Sequence, residues 1–518
     1  MSGRFYITTP IYYPNGEPHL GSTYTTVICD VLARYHRARG EATYFLTGTD
    51  EHGTKMVKAA AAAGVEPLEL ATRYADQFKA VWAELKISND DFIRTTEARH
   101  KSAVDEIVRK LEAAGDIYLG AYEGWYDEGQ EQFITETEAQ ANEYKSPISK
   151  KPLTRYTEPT YFFRLKKYVP QIVAHIESHP DFILPASRRN EVLSKLAQGV
   201  EDLSISRATL KWGIPMPHDP GHVLYVWIDA LTNYITALGY PQQAGAGSLF
   251  ARFWPADVHV IGKDILWFHA VYWPAMLLSL GLPLPKTVAA HGWWVRGGMK
   301  AGKSTGGITT LGEIRELVAA YSLDALRYHL LRAAPFGNDL EWSQDEFDKA
   351  YAELGNVVGN LLNRTINMVG KFRDGKHPPV GAIEGGIDGE LRSALDAFPA
   401  ALADAYAKLE LQRCALLPVE LCRAANAFID AAAPWKLAKD PNGSVALDHV
   451  LHLCVRASAA ALAGLLPILP EKAAAGLAQL GITAQGKTID ALARGDIPIG
   501  QPIGPGAVLF PRVETAKK

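Results

Sequence analysis

Two short segments carry residue types suited to handling phosphate. Pro18-His19-Leu20-Gly21-Ser22 stands where a turn-rich loop gives way to apolar residues at helical spacing. The first turn of a helix has free N–H groups and a partial positive charge, so it can hold an anion. An imidazole at position 19 adds a donor, and Gly21 lets a flat ring approach the backbone closely. The same residues equally suit a plain helix start, with His19 as the cap and Gly21 at a turn. The second segment, Gly297 to Ser304 (GGMKAGKS), formally fits the phosphate-loop pattern G-x-x-x-x-G-K-[ST]. That pattern requires a helix starting at its lysine, and the glycines of Thr305-Gly306-Gly307 oppose one. Two alternatives remain: a Gly-rich loop whose Lys300 and Lys303 close over a triphosphate as its charge redistributes, or a solvated basic loop.

These residues need a scaffold, and the surrounding pattern describes one. Arg4 to Thr9 is β-rich, Pro10 to Pro18 is full of turn formers, and Tyr24, Val27, Ile28, Val31, Leu32 and Tyr35 recur at helical spacing. A second apolar run, Thr43 to Leu46, ends at Gly48-Thr49-Asp50-Glu51-His52-Gly53, followed by a helical pattern through Leu70, Tyr74, Phe78, Val81 and Leu85. Strands that end in polar, Gly-bearing loops place the active site beyond their carboxyl ends. From 120 to 222 the chain turns to short aromatic and charged segments, which reads as an inserted connective domain. The βα texture returns at Val223 to Ile228, Val258 to Ile261 (with a helix from about Leu266 to Leu280) and Thr287 to Val295. Beyond about Glu346 a stripe of Leu354, Val358, Leu361, Thr365, Val369 and Phe372 opens a helical bundle. The expected fold is α/β: a split Rossmann-like parallel sheet (1–119 and 223–292) around an insertion (120–222), then a region carrying the Gly- and Lys-bearing loop (293–345) and an α-helical bundle (346–518).

Composition bounds the function. The chain has 518 residues, 47% hydrophobic, with 53 Lys and Arg against 57 Asp and Glu, a net charge of −4. Disorder is excluded as an overall state, and so is indiscriminate nucleic-acid binding, since that affinity comes from neutralising many phosphates. Residues 346–518 hold 18 basic and 18 acidic residues, so even the bundle has no net basic field. The start, MSGRFYITTP, lacks the features of a signal peptide, and the charge-free apolar stretches Ala270–Pro285 and Ala457–Pro470 fall short of a membrane span. Cys29, Cys414, Cys422 and Cys454 form no C-x-x-C pair. A cytoplasmic protein with no membrane partner is expected.

Taken in order, TPIYYPNGEPHLGS, GTDEHG, YVWIDALTNY, HVIGKDILWFHAVYWPAML, HGWW and KAGKS resemble the class I aminoacyl-tRNA synthetases and, among them, the methionyl-tRNA synthetase family. HLGS and KAGKS stand for that class's HIGH and KMSKS signatures. The resemblance implies an ATP-dependent ligase that forms methionyl-adenylate and pyrophosphate and charges methionine tRNA, initiator and elongator, with Mg²⁺ carried on the ATP phosphates. It implies that Ile11, Tyr13, Trp227, Ala230, Leu231, Tyr234, Ile265 and His269 line a methionine pocket, with Asp50 on the ammonium group. For ATP it implies Asn15, His19, Gly21, Ser22, Gly262, Asp264, His291, Gly292, Lys300, Lys303 and Ser304, with His19, Lys300 and Lys303 catalytic. Asn360, Arg364 and Trp435 fall on anticodon-reading positions. The residue chemistry agrees: a thioether suits a polarizable aromatic pocket, an ammonium needs a carboxylate, and Asn, Arg and Trp suit unstacked bases.

Some positions depart from the pattern. Ser22 replaces the second signature histidine, and Ala301, Gly302 and Gly307 replace the usual methionine, serine and asparagine of the lysine loop, which leaves that loop with fewer anchors. Where some relatives hold zinc with cysteine pairs, this chain has Tyr126-Asp127-Glu128-Gly129-Gln130 and Ser146-Pro147-Ile148-Ser149, so no structural zinc is expected. The chain ends soon after the bundle, so a monomer is expected. The competing readings are a synthetase for another apolar amino acid, a synthetase-like RNA-binding module without catalysis, and a phosphate-loop kinase or phosphatase.

Overall fold

The computed structural model describes residues 3–128, 132–134, 136–296, 299–300 (backbone) and 310–495, together with 497–513. Lys303, Ser304, Ala301, Gly302, Gly307, Gly129 and Gln130 lie outside the described residues. The chain opens with strand β1 (Arg4–Thr8), a loop, and helix α1 (Leu20–Ala38). It divides into two compact units, Arg4–Pro18 with Thr43–His291, and Met1–Gly3 with His19–Ala42 and Gly292–Lys518.

The first unit is built on a six-stranded sheet. Its further strands are β2 (Ala42–Thr49), β3 (Asp91–Arg94), β4 (Ile183–Leu184), β5 (Val258–Gly262) and β6 (Thr287–His291), and the spatial order is β3-β2-β1-β5-β6-β4. The β2–β3, β1–β5, β5–β6 and β6–β4 pairings are parallel. Strand β1 is buried over its last four residues and β5 over its first four, the continuous burial expected where both faces of a parallel sheet are covered. From the β1–β5 pair β1, β2 and β3 run outward on one side and β5 and β6 on the other, with the earlier β4 added at that edge, so the β1–β5 pair is the switch point of the sheet, where open α/β sheets bind ligands.

Two sequence expectations change here. Val223 to Ile228 is not a strand of this sheet: Asp219–Leu224 pairs antiparallel in a separate three-stranded sheet, and Val226–Leu231 is a helix. An unbroken apolar run satisfies a buried helix as well as a buried strand, so periodicity could not separate them. The stretch 120–222 forms its own antiparallel sheet but also returns to the parallel sheet at β4, between the helices Leu165–Ser178 and Ala186–Ala197. The other two helices that matter in this unit are α2 (Ala98–Ala113) and α3 (Val226–Leu231).

The second unit holds α1 and the bundle, including α4 (Asn360–Arg373), α5 (Leu411–Ala432) and the helix Ser444–Leu465. That last helix is long and apolar enough to cross a membrane, yet 72% of its most apolar window is buried inside the protein, as suits the central helix of a bundle. Helix α1 is anchored here. Asp30 pairs with Arg327 at 2.7 Å, both side chains fully buried, and Arg327 donates to the carbonyls of Pro467 and Ile468. Tyr35 stacks on Tyr406 with ring centroids 3.7 Å apart. A buried ion pair adds little net stability but tolerates few alternative arrangements, so α1 is held in a defined register on its unit.

Candidate active site

The carboxylate side of the site forms where the chain leaves β1 and β2. Tyr12 forms a parallel bridge with Thr49, its N–H donating to the Gly48 carbonyl, and the Asp50 N–H donates back to the Tyr12 carbonyl, both at 2.9 Å. Alternation along an extended chain sends Tyr12 to one face and Ile11 and Tyr13 to the other. Tyr12 stacks on Phe78 and meets Trp82, which fixes that alternation, while Tyr13 carries the Lys55 ammonium over its ring at 4.5 Å. Asp50 is 3% exposed. The next residue, Glu51, is fully buried and takes Arg94 on both oxygens, at 2.7 and 3.0 Å. Its N–H donates to the Thr95 hydroxyl, and Trp212 Nε1 donates to its carbonyl. Such ties preorganise the loop, so little ordering remains when a ligand arrives.

The apolar side is one aromatic group. Trp227, Ala230, Leu231 and Tyr234 are buried and recur three, four and seven positions apart, one face of α3 and its continuation. Trp227 lies flat on Phe268, 3.6 Å between centroids, and edge-on to His269. A π-helical turn over Phe268–Tyr272 turns His269 toward Tyr234. His269 Nδ1 stands 3.0 Å from the Ile265 carbonyl, which can only accept, so this nitrogen carries the proton and Nε2 accepts from the Tyr234 hydroxyl at 2.7 Å. Burial holds the His269 imidazolium well below the usual histidine range, down to about 4. The group is therefore neutral at working pH: an uncharged, polarizable surface that suits a thioether. Strands β1 and β5 support it. The Tyr6 hydroxyl donates to the Tyr234 carbonyl, and the Tyr234 ring lies against His259, whose Nδ1 contacts the Thr8 hydroxyl.

Of the nucleotide residues, Asn15, Gly262, Asp264 and His291 belong to this unit. Gly262 ends β5 beside His291, which ends β6, and Asp264 lies in the single turn that follows. A Cβ at Gly262 would fall 2.6 Å from Asp264 Oδ1, so glycine leaves room for that carboxylate where it lies. His19, Gly21, Ser22, Gly292 and Lys300 belong to the second unit. His19 is the N-cap of α1: its Nδ1 accepts the Gly21 N–H at 3.1 Å, and its own N–H donates to Ser22 Oγ at 2.9 Å. The cap uses only Nδ1 and the backbone, so it does not compete for Nε2, to which the catalytic role that the resemblance implies would fall. Accepting at Nδ1 puts the imidazole proton on Nε2, where it serves as a donor. A Cβ at Gly21 would sit 3.0 Å from the His19 ring, which explains the glycine. Ser22 completes the cap, so its hydroxyl orients His19. Gly292 has a packing reason of its own, since a Cβ there would fall 2.1 Å from the Asn338 carbonyl. Lys300 is on a short strand paired with Trp294–Arg296.

In the bundle, Asn360 and Arg364 share one face of α4, and both donate to Asn426 Oδ1 on α5, at 3.1 and 3.3 Å. Asn426 in turn donates to the Val357 and Cys422 carbonyls, and Arg364 pairs with Asp430. Trp435, on the short helix Pro434–Leu437, is 46% exposed, so it is not a core residue. Sequence reasoning passed over Asn426, Phe268, His52, His100 and Asp229. Phe268 had a signal, an aromatic beside His269; the others are polar residues whose partners lie far along the chain. In the stretches compared with zinc sites, Ser146 Oγ accepts the Ile148 and Ser149 N–H groups in a turn. Among the described residues no group of three or more His, Cys, Asp or Glu side chains is placed to hold a metal.

Comparison with known proteins draws these parts together. The family model for class I tRNA synthetases of the methionine type matches residues 5–142 and 137–366. The methionine–tRNA ligase of Caldanaerobacter subterraneus is 43% identical over 100% of this chain and 80% of its own length. The chain belongs to the methionine–tRNA ligase family. Among other methionine–tRNA ligases, that of Streptomyces coelicolor is 42% identical over 98% of this chain and 97% of its own length. The structure of Mycobacterium tuberculosis methionyl-tRNA synthetase in complex with methionyl-adenylate matches with a TM-score of 0.92 at 38% identity, covering 98% of this chain and 100% of that one. Its apo form matches at 0.87 and 36% identity, over 100% and 99%.

Proposed function

We propose that the methionine side chain rests on the Trp227–Phe268–His269–Tyr234 group and its ammonium on Asp50. The chain is an ATP-dependent methionine–tRNA ligase. The observation that carries the site reading is the neutral aromatic group joined, through His52 and Asp229, to the loop that holds the buried Asp50. In the first step the methionine carboxylate attacks the α-phosphorus of ATP; an O–P bond forms, the bond to pyrophosphate breaks, and methionyl-adenylate remains. The carboxylate is already ionised, so no general base is needed. Rate enhancement comes from alignment and from donors aimed at the charge that builds on the phosphate oxygens, the role assigned to His19 Nε2, Lys300 and Lys303. Mg²⁺ arrives with the ATP phosphates, and no step uses zinc. In the second step the 2′-hydroxyl of the terminal adenosine of methionine tRNA attacks the methionyl carbonyl; an ester bond forms, the bond to the adenylate phosphate breaks, and AMP leaves.

Methionine-dependent ATP–pyrophosphate exchange tests this reading, with leucine, isoleucine and valine run beside it. Exchange confined to methionine supports it; equal exchange with leucine or no exchange at all refutes it. Two further outcomes are expected. Trp435→Ala weakens tRNA charging ~10-fold or more in kcat/KM while exchange stays within ~2-fold, because a stacking plane is worth ~1–3 kcal/mol per base; equal damage in both assays removes Trp435 from tRNA recognition. The neutral charge of 346–518 agrees with recognition through a few local contacts. Restoring Met, Ser and Asn at 301, 302 and 307 raises the adenylation rate several-fold, since each glycine adds up to ~1 kcal/mol to the ordering of the loop; an unchanged rate refutes that account. Function as a cytoplasmic monomer completes the proposal.

A further inference from the structure

Asp229 is 1% exposed and has a histidine on each carboxylate oxygen. His52 Nδ1 lies 2.6 Å from Oδ2, His100 Nε2 lies 2.7 Å from Oδ1, and His100 Nδ1 meets the Thr236 hydroxyl at 2.8 Å. His52 and His100 are 4% and 0% exposed. Burial alone raises the Asp229 carboxyl, but the facing imidazoles outweigh it and hold the group down at about 2, so it is ionised and accepts from both rings.

The three residues come from three elements. His52 is two positions past Asp50 in the loop after β2, His100 is on α2, and Asp229 stands on α3 between Trp227 and Ala230. Other ties of the loop run to Tyr12, Arg94, Thr95, Thr96 and Trp212. The His52–Asp229 bond carries the loop across to the helix that bears the aromatic wall, and the edge of Trp212 meets the His52 ring.

An amino acid held at its ammonium group and at its side-chain end is measured by the separation of the two anchors. We propose that Asp229 is a positioning residue for side-chain length: through His52 it sets the distance between the Asp50 carboxylate and the Trp227 wall, while His100 stops the carboxylate from turning. The inference rests on the reading of Asp50 and Trp227 as methionine-binding groups.

The test is exchange kinetics on the full chain with methionine, the shorter S-methylcysteine and the longer ethionine, alongside thermal melts. Asp229→Ala is expected to raise the methionine KM ~10-fold or more, to leave the ATP KM within ~2-fold, and to narrow the preference for methionine over the other two. Asp229→Asn, which keeps the shape and part of the bonding, restores some of that preference. His100→Ala, which leaves the His52–Asp229 bond in place, shows a smaller shift in the same direction, and these two carry the test if Asp229→Ala does not fold. A loss of kcat with unchanged KM values and unchanged preference overturns the inference. Asp50→Ala in the same assay separates the levels. A raised methionine KM there, with wild-type values in the Asp229 and His100 variants, overturns the inference alone; an unchanged KM there overturns the underlying reading and the inference with it.

Discussion

His19→Asn is expected to slow methionine-dependent exchange by roughly 10²- to 10³-fold while the melting temperature stays within a few degrees of wild type. The range is that for removing one preorganised donor aimed at transition-state charge. The substitution separates the cap seen in the structure from the catalytic role proposed for this side chain. As a cap, His19 needs only an acceptor toward the Gly21 N–H, and Asn ranks among the best N-cap residues. As a catalytic donor it needs the Nε2 proton, which lies on the far side of the ring from the capped nitrogen; the shorter Asn amide does not reach that position. His19→Ala loses both roles and should add a stability loss of ~1 kcal/mol to the same rate defect. Exchange within threefold of wild type in His19→Asn would leave His19 as a cap and nothing more.

Asp50→Ala is expected to lower kcat/KM for methionine by roughly 10²- to 10³-fold, with the ATP KM nearly unchanged. Removing one partner of a buried, hydrogen-bonded charge pair costs ~2–5 kcal/mol, much of it from leaving the other charge buried and unpaired. In the proposed site that other charge is the substrate ammonium. The loop that presents Asp50 is tied at its backbone and through Glu51 to Tyr12, Thr95, Arg94 and Trp212, and these ties remain when the Asp50 side chain is shortened. A loss below tenfold, or an equal loss for ATP, would place the ammonium elsewhere.

The chemistry-bearing words were readable because they are local. A strand, a turn-rich loop and a helix over residues 4–38 follow from short-range preferences, whereas the expectation for Asp50 came from the resemblance of its GTDEHG segment. Gly21 and Gly262 were readable as glycines that matter, but their reasons, the His19 ring and the Asp264 carboxylate, became visible only with coordinates. Ser22 stands where the signature has its second histidine. In the structure its hydroxyl bonds the His19 backbone N–H and carbonyl and so completes the cap of α1. Val223 to Ile228 misled because an apolar run has no period to read.

By itself the sequence determined the residue types at the site, the order of the signatures, the family and the α/β plan, since each rests on spacing along a continuous stretch. Only the tertiary structure decided which polar groups face each other. Asp229 meets His100 across 129 positions and His52 across 177, and Asn426 meets Arg364 across 62. Periodicity says which face a side chain presents, but not which distant side chain the fold brings to that face. A buried charge persists only where such a partner arrives, so the network behind the pocket is a property of the packing.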